Sequence, residues 1–170
     1  SEENMGMDIG TVIEVGELFF NTPARRKFMK SDSVELGHIV DVVSQYALAN
    51  NSVRFELRHE GKVLLQKPVF EEGKNTIASV YGVGVAKELV AVDYESEGIV
   101  VRGYVGKPYA ARNDKNYQAL FVNGRWVKNV DISSAVYEGY HAALFVGKHP
   151  VFVLHLTVDP MEVDVNIHPQ

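Results

Sequence analysis

Four short stretches hold the residue types that could do chemistry. Gly10-Thr11 offers a hydroxyl that can donate and accept, next to a residue that lets backbone approach a ligand closely. Arg25-Arg26-Lys27 places three cations just after Pro23, where a helix would begin and anions are favoured. A third stretch, 107–128, sets Lys107, Arg112, Lys115, Arg125 and Lys128 against Asp114 alone. In it, Asn123-Gly124 is a strong two-residue hairpin signal that would project Arg125 and Lys128 outward, with Tyr109, Tyr117 and Trp126 nearby in sequence. Such cations suit phosphates, which give affinity without base readout. The fourth stretch is Asp164-Val165-Asn166-Ile167-His168-Pro169, whose Asp and Asn side chains suit turn-making.

Each stretch also has a plain reading. Gly-Thr is an ordinary way into a strand, and three cations can form a solvated face or pair with Glu14, Glu17 and Asp32. A cationic hairpin can simply be an edge strand protected from aggregation. Other chemistries find little support. His38, His59, His141, His149, His155 and His168 lack the i, i+4 metal spacing, and no cysteine supports them. Gly82-Val83-Gly84 is too short for a phosphate loop, and no serine sits in a nucleophile elbow.

The elements that would position these residues follow from periodicity. Thr11 to Phe20 reads as extended, leading through Asn21-Thr22-Pro23 into a short helix over Ala24 to Lys30. Asp32 and Glu35 form a capping-box-like pair for a longer helix, with Ile39, Val43, Tyr46 and Ala47 on one face and a left-handed stop at Asn50-Asn51. Val53, Phe55 and Leu57 alternate with Arg54 and Glu56, and 63–66 returns as a hairpin partner. Pro68 to Gly73 is the best linker. Then come a helix over 77–81, strands over 89–94 and 99–105, the hairpin 117–122 with 125–127, a helix over 131–145, and extended pieces at 151–158 and 163–167. Gly139 inside that last helix suggests close helix–sheet packing. The mixed order predicts an α+β fold in two layers.

Composition sets outer bounds. A chain of 170 residues, 46% hydrophobic and 23% charged, holds one full domain or two small ones. The net charge of −5 argues against a uniformly basic nucleic-acid binder, so any such contact must be local. The absence of cysteine excludes disulfides and thiolate zinc sites. No apolar run approaches the ~20 residues of a membrane helix, and no signal peptide is legible. The missing initiator Met and the stop just after Pro169 suggest a piece of a longer protein.

The run GTVIEVGELFFNTPARRKFMK (10–30), with LFVNGRWVKN (120–129) and VDVNIHPQ (163–170), resembles the MutL family of nucleotide-switched DNA mismatch repair proteins. The first block is similar to the last ATPase motif of the GHKL superfamily in its MutL form, although Glu17 and Phe20 stand where Asp and Tyr are usual. The resemblance implies that 1–72 is the C-terminal part of a GHKL ATPase domain. It implies that 73–170 is a transducer domain with a left-handed βαβ fold, a hand that local sequence cannot give.

It further implies that Gly10 and Thr11 lie at the adenine side of an ATP pocket and that Arg125 of VNGR, with Lys128, contacts DNA. ATP and Mg²⁺ would serve the longer protein, a slow ATPase. None is expected on this piece, which lacks the Glu/Asn helix, DxGxG and GFRGEAL motifs. The lysine that reaches the terminal phosphate follows HPx within a residue or two, so no residue here takes a catalytic role. Implied partners are DNA, a MutS-type mismatch-recognition protein and a second subunit: a homodimer, or a heterodimer in a eukaryote. The implied compartment is the cytoplasm of a bacterium, or a eukaryotic nucleus. Two rivals share parts of this architecture. A GHMP-type small-molecule kinase would need a phosphate loop, and a type II topoisomerase ATPase subunit lacks the LFxNxPARxKF form.

Overall fold

The computed structural model describes residues 9–162, so the VDVNIHPQ block lies outside the described residues. Two compact units divide the chain, residues 1–37 and 38–170.

In the first unit, residues 10–16 form no strand, against the extended segment expected there. A turn follows, with Glu17 and Phe19 at φ 46° and 62° and the Phe20 amide donating to Glu17 O at 3.0 Å. Helix α1 (Pro23–Arg26) has Pro at its first turn as expected, but it is shorter than the sequence pattern suggested. Helix α2 (Asp32–Ala49) starts in this unit. Asp32 is its first residue rather than its cap. The carbonyl of Ser31 accepts the amides of Val34 and Glu35, while Glu35 Oε1 accepts the Lys30 amide at 2.8 Å.

In the second unit the buried face of α2 runs through Gln45, Ala47 and Leu48. Ile39 and Tyr46, expected inside, are 47% and 62% exposed. Neither Asn50 nor Asn51 takes a positive φ, so the helix does not end in a left-handed residue. Instead the Asn50 side chain donates from Nδ2 to Tyr46 O at 2.8 Å. The ammonium of Lys67 then closes the region beyond the helix, donating to the carbonyls of Asn50, Asn51 and Val53 at 2.6, 2.6 and 2.7 Å. Lys67 is fully buried, and desolvation pushes its pKa down. These bonds tie α2 to the hairpin of β1 (Phe55–His59) and β2 (Lys62–Lys67), whose Glu60-Gly61 turn takes φ 48° and 73°.

Helices α3 (Gly73–Tyr81) and α4 (Val83–Ala86) follow; α4 occupies the stretch whose Gly-Val-Gly pattern carried no phosphate loop. The main sheet holds β3 (Leu89–Ser96), β4 (Ile99–Gly106), β5 (Gln118–Val122), β6 (Arg125–Trp126) and β7 (Phe152–Thr157), in the order β3-β4-β7-β5-β6. All pairings are antiparallel except β5 with β7, which are parallel and joined through helix α5 (Val130–Gly139). The expected α+β class holds. Helix α5 stops at Gly139 and gives way to a 3₁₀ turn, His141–Ala143. A Cβ on Gly139 would meet nothing within 4 Å, so close packing does not explain that glycine.

Strand alternation sends the sheet's apolar residues to two cores. Ala119, Phe121, Val151 and Val153 pack with Leu48, Ile77, Val85 and Ala86 on one face. Leu120, Phe152 and Leu154 pack on the other, against Ile132 and Val136 of α5. This is why β5 and β7 read as nearly continuous apolar runs. At the sheet's centre Gly103, at φ +142°, brings β4 against β7; a Cβ there would sit 2.1 Å from Val153 O.

Candidate nucleic-acid interface

The Asn123-Gly124 turn joins β5 to β6 with φ of 48° and 78°, the doubly positive pair that a two-residue hairpin requires. It is fixed by more than its own hairpin. The Asn123 amide donates to Leu156 O at 2.8 Å. Its side chain donates to Val158 O and accepts the Val158 amide, each at 3.1 Å. The turn is therefore locked to the end of β7. Sequence reasoning took Asn123 for a turn former only; its contacts lie 35 residues away and left no local signal.

Arg125 leaves this locked turn exposed, and neither it nor Lys128 makes an ion pair among the described residues. By alternation they straddle the edge strand. Trp126 packs with the α3/α4 core and Lys128 Nζ lies 4.9 Å over its ring, whereas Val127 packs on the α5 side, as Arg125 must. Just beyond, the Asn129 side chain caps α5 by accepting the Ile132 amide at 2.9 Å. Trp126 thus holds the Lys128 stem in place, and Arg125 is presented by the rigid turn.

Lys107 and Arg112 do not join this edge. Lys107 pairs with Glu88 at 3.6 Å, and Tyr109 donates to the same carboxylate at 2.5 Å. Arg112 stacks 5.5 Å over Tyr117 and pairs its backbone with His149. That places it beyond the Gln118 end of β5. Arg125 is paired with Val122 at the other end, four strand residues or about 13 Å from Gln118. The basic stretch of the sequence is therefore two separate places in the fold.

Gly10 and Thr11 are exposed on irregular backbone in the first unit, and the Thr11 hydroxyl makes no hydrogen bond among the described residues. Arg25, Arg26 and Lys27 are exposed there too and form no ion pair among the described residues, so of the two plain readings it is the solvated face, not pairing with Glu14, Glu17 or Asp32, that the structure shows. Among the described residues no cluster of His, Asp and Glu could hold a metal ion, and no helix is long and apolar enough to cross a membrane.

A mixed sheet with one helix-linked parallel pair and a cationic edge turn gives the class: an α+β domain. Among solved structures, the N-terminal domain of a DNA repair protein matches with a TM-score of 0.72 at 25% identity, over 90% of this chain and 51% of that one. The Aquifex aeolicus MutL ATPase domain complexed with ADP matches with a TM-score of 0.66 at 25% identity, over 86% of this chain and 52% of that one. Residues 77–170 match the family described as "DNA mismatch repair protein, C-terminal domain". MutL of Geobacillus thermodenitrificans is 45% identical over 160 residues, which are 94% of this chain and 25% of that protein. MutL of Bacillus licheniformis is 43% identical over 169 residues, 99% of this chain and 27% of that protein. The chain belongs to the MutL family of DNA mismatch repair proteins. It spans about a quarter of the length of these curated relatives.

Proposed function

We propose that this chain is the part of a MutL-type protein that couples ATP-driven dimerisation of the N-terminal region to DNA and to a MutS-type partner, in the bacterial cytoplasm. Residues 1–72 close the ATPase domain and 73–170 form the transducer. In the longer protein Gly10 and Thr11 line the adenine side of the pocket for ATP and Mg²⁺. A solvent-facing Thr11 hydroxyl, without a partner among the described residues, is available for that contact. Bound ATP supplies the phosphate charge and cleavable bond of the switch; what these residues contribute is recognition of the base.

One observation carries the DNA reading: Arg125 stands exposed on a turn clamped to β7, without an ion pair among the described residues. The planar fork of a guanidinium presented this way suits a phosphate contact. The full-length protein with ATP, titrated with a random-sequence duplex over a range of salt, tests it. Arg125→Glu should weaken binding and flatten the salt slope by about one to two units. Unchanged affinity in a normally folded variant would remove Arg125 from the interface.

A further inference from the structure

The other edge of the main sheet is built differently. Strand β3 is eight residues long and pairs with β4 in unbroken register from Leu89–Gly106 to Ser96–Ile99, with no bulge. It contains no lysine and no proline. Natural edges are usually blunted by such features or by being short. Elsewhere this molecule uses them: β6 is two residues long and opens on Arg125, and β1 carries an irregularity between Leu57 and Arg58.

The hydrogen-bonding phase of the edge follows from its turn. Ser96 and Ile99 close a two-residue loop at Glu97-Gly98, so Ser96, Tyr94, Val92 and Val90 spend their amides and carbonyls on β4. Those of Ala91, Asp93 and Glu95 point outward, and none has a backbone partner among the described residues. Side chains alternate across this row. On the α5 side stand Val90, 49% exposed, and Tyr94, 60% exposed. On the other side stand Asp93 and Glu95, with Glu97 in the turn; among the described residues only Asp93 has a counter-charge, Arg102 at 3.2 Å. A groove of about 310 Å³ opens on that side, lined by Leu48, Ile77, Ala91, Tyr104 and the Asp93–Arg102 pair among others, so the uncompensated charge of the row is that of Glu95 and Glu97.

We propose that β3 is a docking edge for an extended segment of a partner protein that alternates basic and apolar residues and adds as a sixth, antiparallel strand. Opposed residues of an antiparallel pair share a face. The basic residues of the segment therefore lie over Asp93 and Glu95, with their aliphatic stems along the groove. Its apolar residues cover Val90 and Tyr94. A second copy of this chain fits worse, because pairing β3 with itself would bring the carboxylates of Asp93 and Glu95 onto those of the other copy. This proposal is independent of the DNA reading.

The probe is a capped octapeptide alternating lysine and valine, titrated by calorimetry against the chain. The basic residues sit in the hydrogen-bonded pairs, so N-methylating the four lysines should weaken binding by about tenfold or more, whereas N-methylating the four valines should leave it nearly unchanged. In the protein, Ala91→Pro removes an outward amide that the fold does not use and should cause a similar loss with every charge retained. Glu95→Lys should weaken binding about three- to tenfold, and less so as salt rises. Equal affinity for the two methylated peptides would reduce the contact to plain charge attraction and overturn the proposal, as would no binding by about 1 mM. Should Ala91→Pro fail to fold, the methylated peptides and Glu95→Lys still decide. Sedimentation of the chain alone provides the last arm: a dimer that Glu95→Lys strengthens would assign the edge to a second copy instead.

Discussion

One sheet ends in two unlike edges. At β6 the edge is two residues long, cationic, and fastened to β7 by the side chain of Asn123. At β3 it is eight residues long, acidic on one side and apolar on the other. The first presents side-chain charge and almost no backbone, which suits a polyanion read by its phosphates. The second presents backbone and alternating side chains, which suits a strand. A net charge of −5 hides this division, because residues 73–170, which hold both edges, carry 10 acidic and 9 basic side chains that nearly cancel.

Both edges depend on the centre that holds them, so the largest effect is expected there. Gly103→Ala sets a Cβ against the Val153 carbonyl at a φ that L-residues rarely adopt. The loss of stability should be about 3 kcal/mol or more in urea unfolding. A tolerated alanine would mean that β4 and β7 can separate, and the two edges could not then be treated as one rigid frame.

Charge reversal at each edge sharpens the contrast next. In the full-length protein with ATP, Arg125→Glu should reduce duplex affinity about tenfold or more at low salt. Glu95→Lys should not reduce it at all. Loss of affinity in both variants would point to general misfolding rather than to an interface.

Asn123→Ala removes two hydrogen bonds to Val158 and places alanine at φ 48°. It should cost about 1–2 kcal/mol of stability and weaken DNA binding less than Arg125→Glu, since the charge remains and only its anchoring is lost.

The smallest effect is expected at His155, which stacks on Phe121 with centroids 4.7 Å apart, between the two edges. Burial holds its folded pKa below the ordinary 6.5, so the unfolded chain takes up the extra proton first as pH falls. Its contribution is intact above about pH 6.5 and erodes as pH drops toward the lower folded value. His155→Leu should flatten that part of the stability–pH curve and leave DNA binding at neutral pH alone.

The contrast also marks what the sequence could say. The hairpin turn at Asn123-Gly124 was legible because two residues with φ > 0 leave few alternatives to Asn, Asp and Gly, whereas β3 runs two residues past the expected Tyr94 and turns at Glu97-Gly98, where Glu is no turn signal. The α+β class was legible from the order of periods. Strand order, and with it the identity of the two edges, was not, because pairings such as Phe121 with His155 are set by packing across the chain. The long helix was placed correctly, but only part of its expected face is inward: Ala47 is buried and Val43 half-buried. Ile39 and Tyr46 are apolar yet exposed, while Gln45 is buried at 8%. That Arg125 and Lys128 stand exposed beside the turn was legible; that Lys107 and Arg112 lie elsewhere was not. The segment 10–16 was recognisable by motif alone: Val12, Ile13 and Val15 are 62%, 81% and 71% exposed, and its apolar pattern forms no strand.

Titration of the isotopically labelled chain with a short random-sequence duplex at low salt, followed by amide and indole NMR shifts, tests the assignment of the two edges most directly. The expected result is progressive shifts at Gly124, Arg125, Lys128 and the Trp126 indole, reversed by added salt, with Ala91 to Glu95 unmoved. Shifts centred on β3, or spread evenly over both edges, would contradict it.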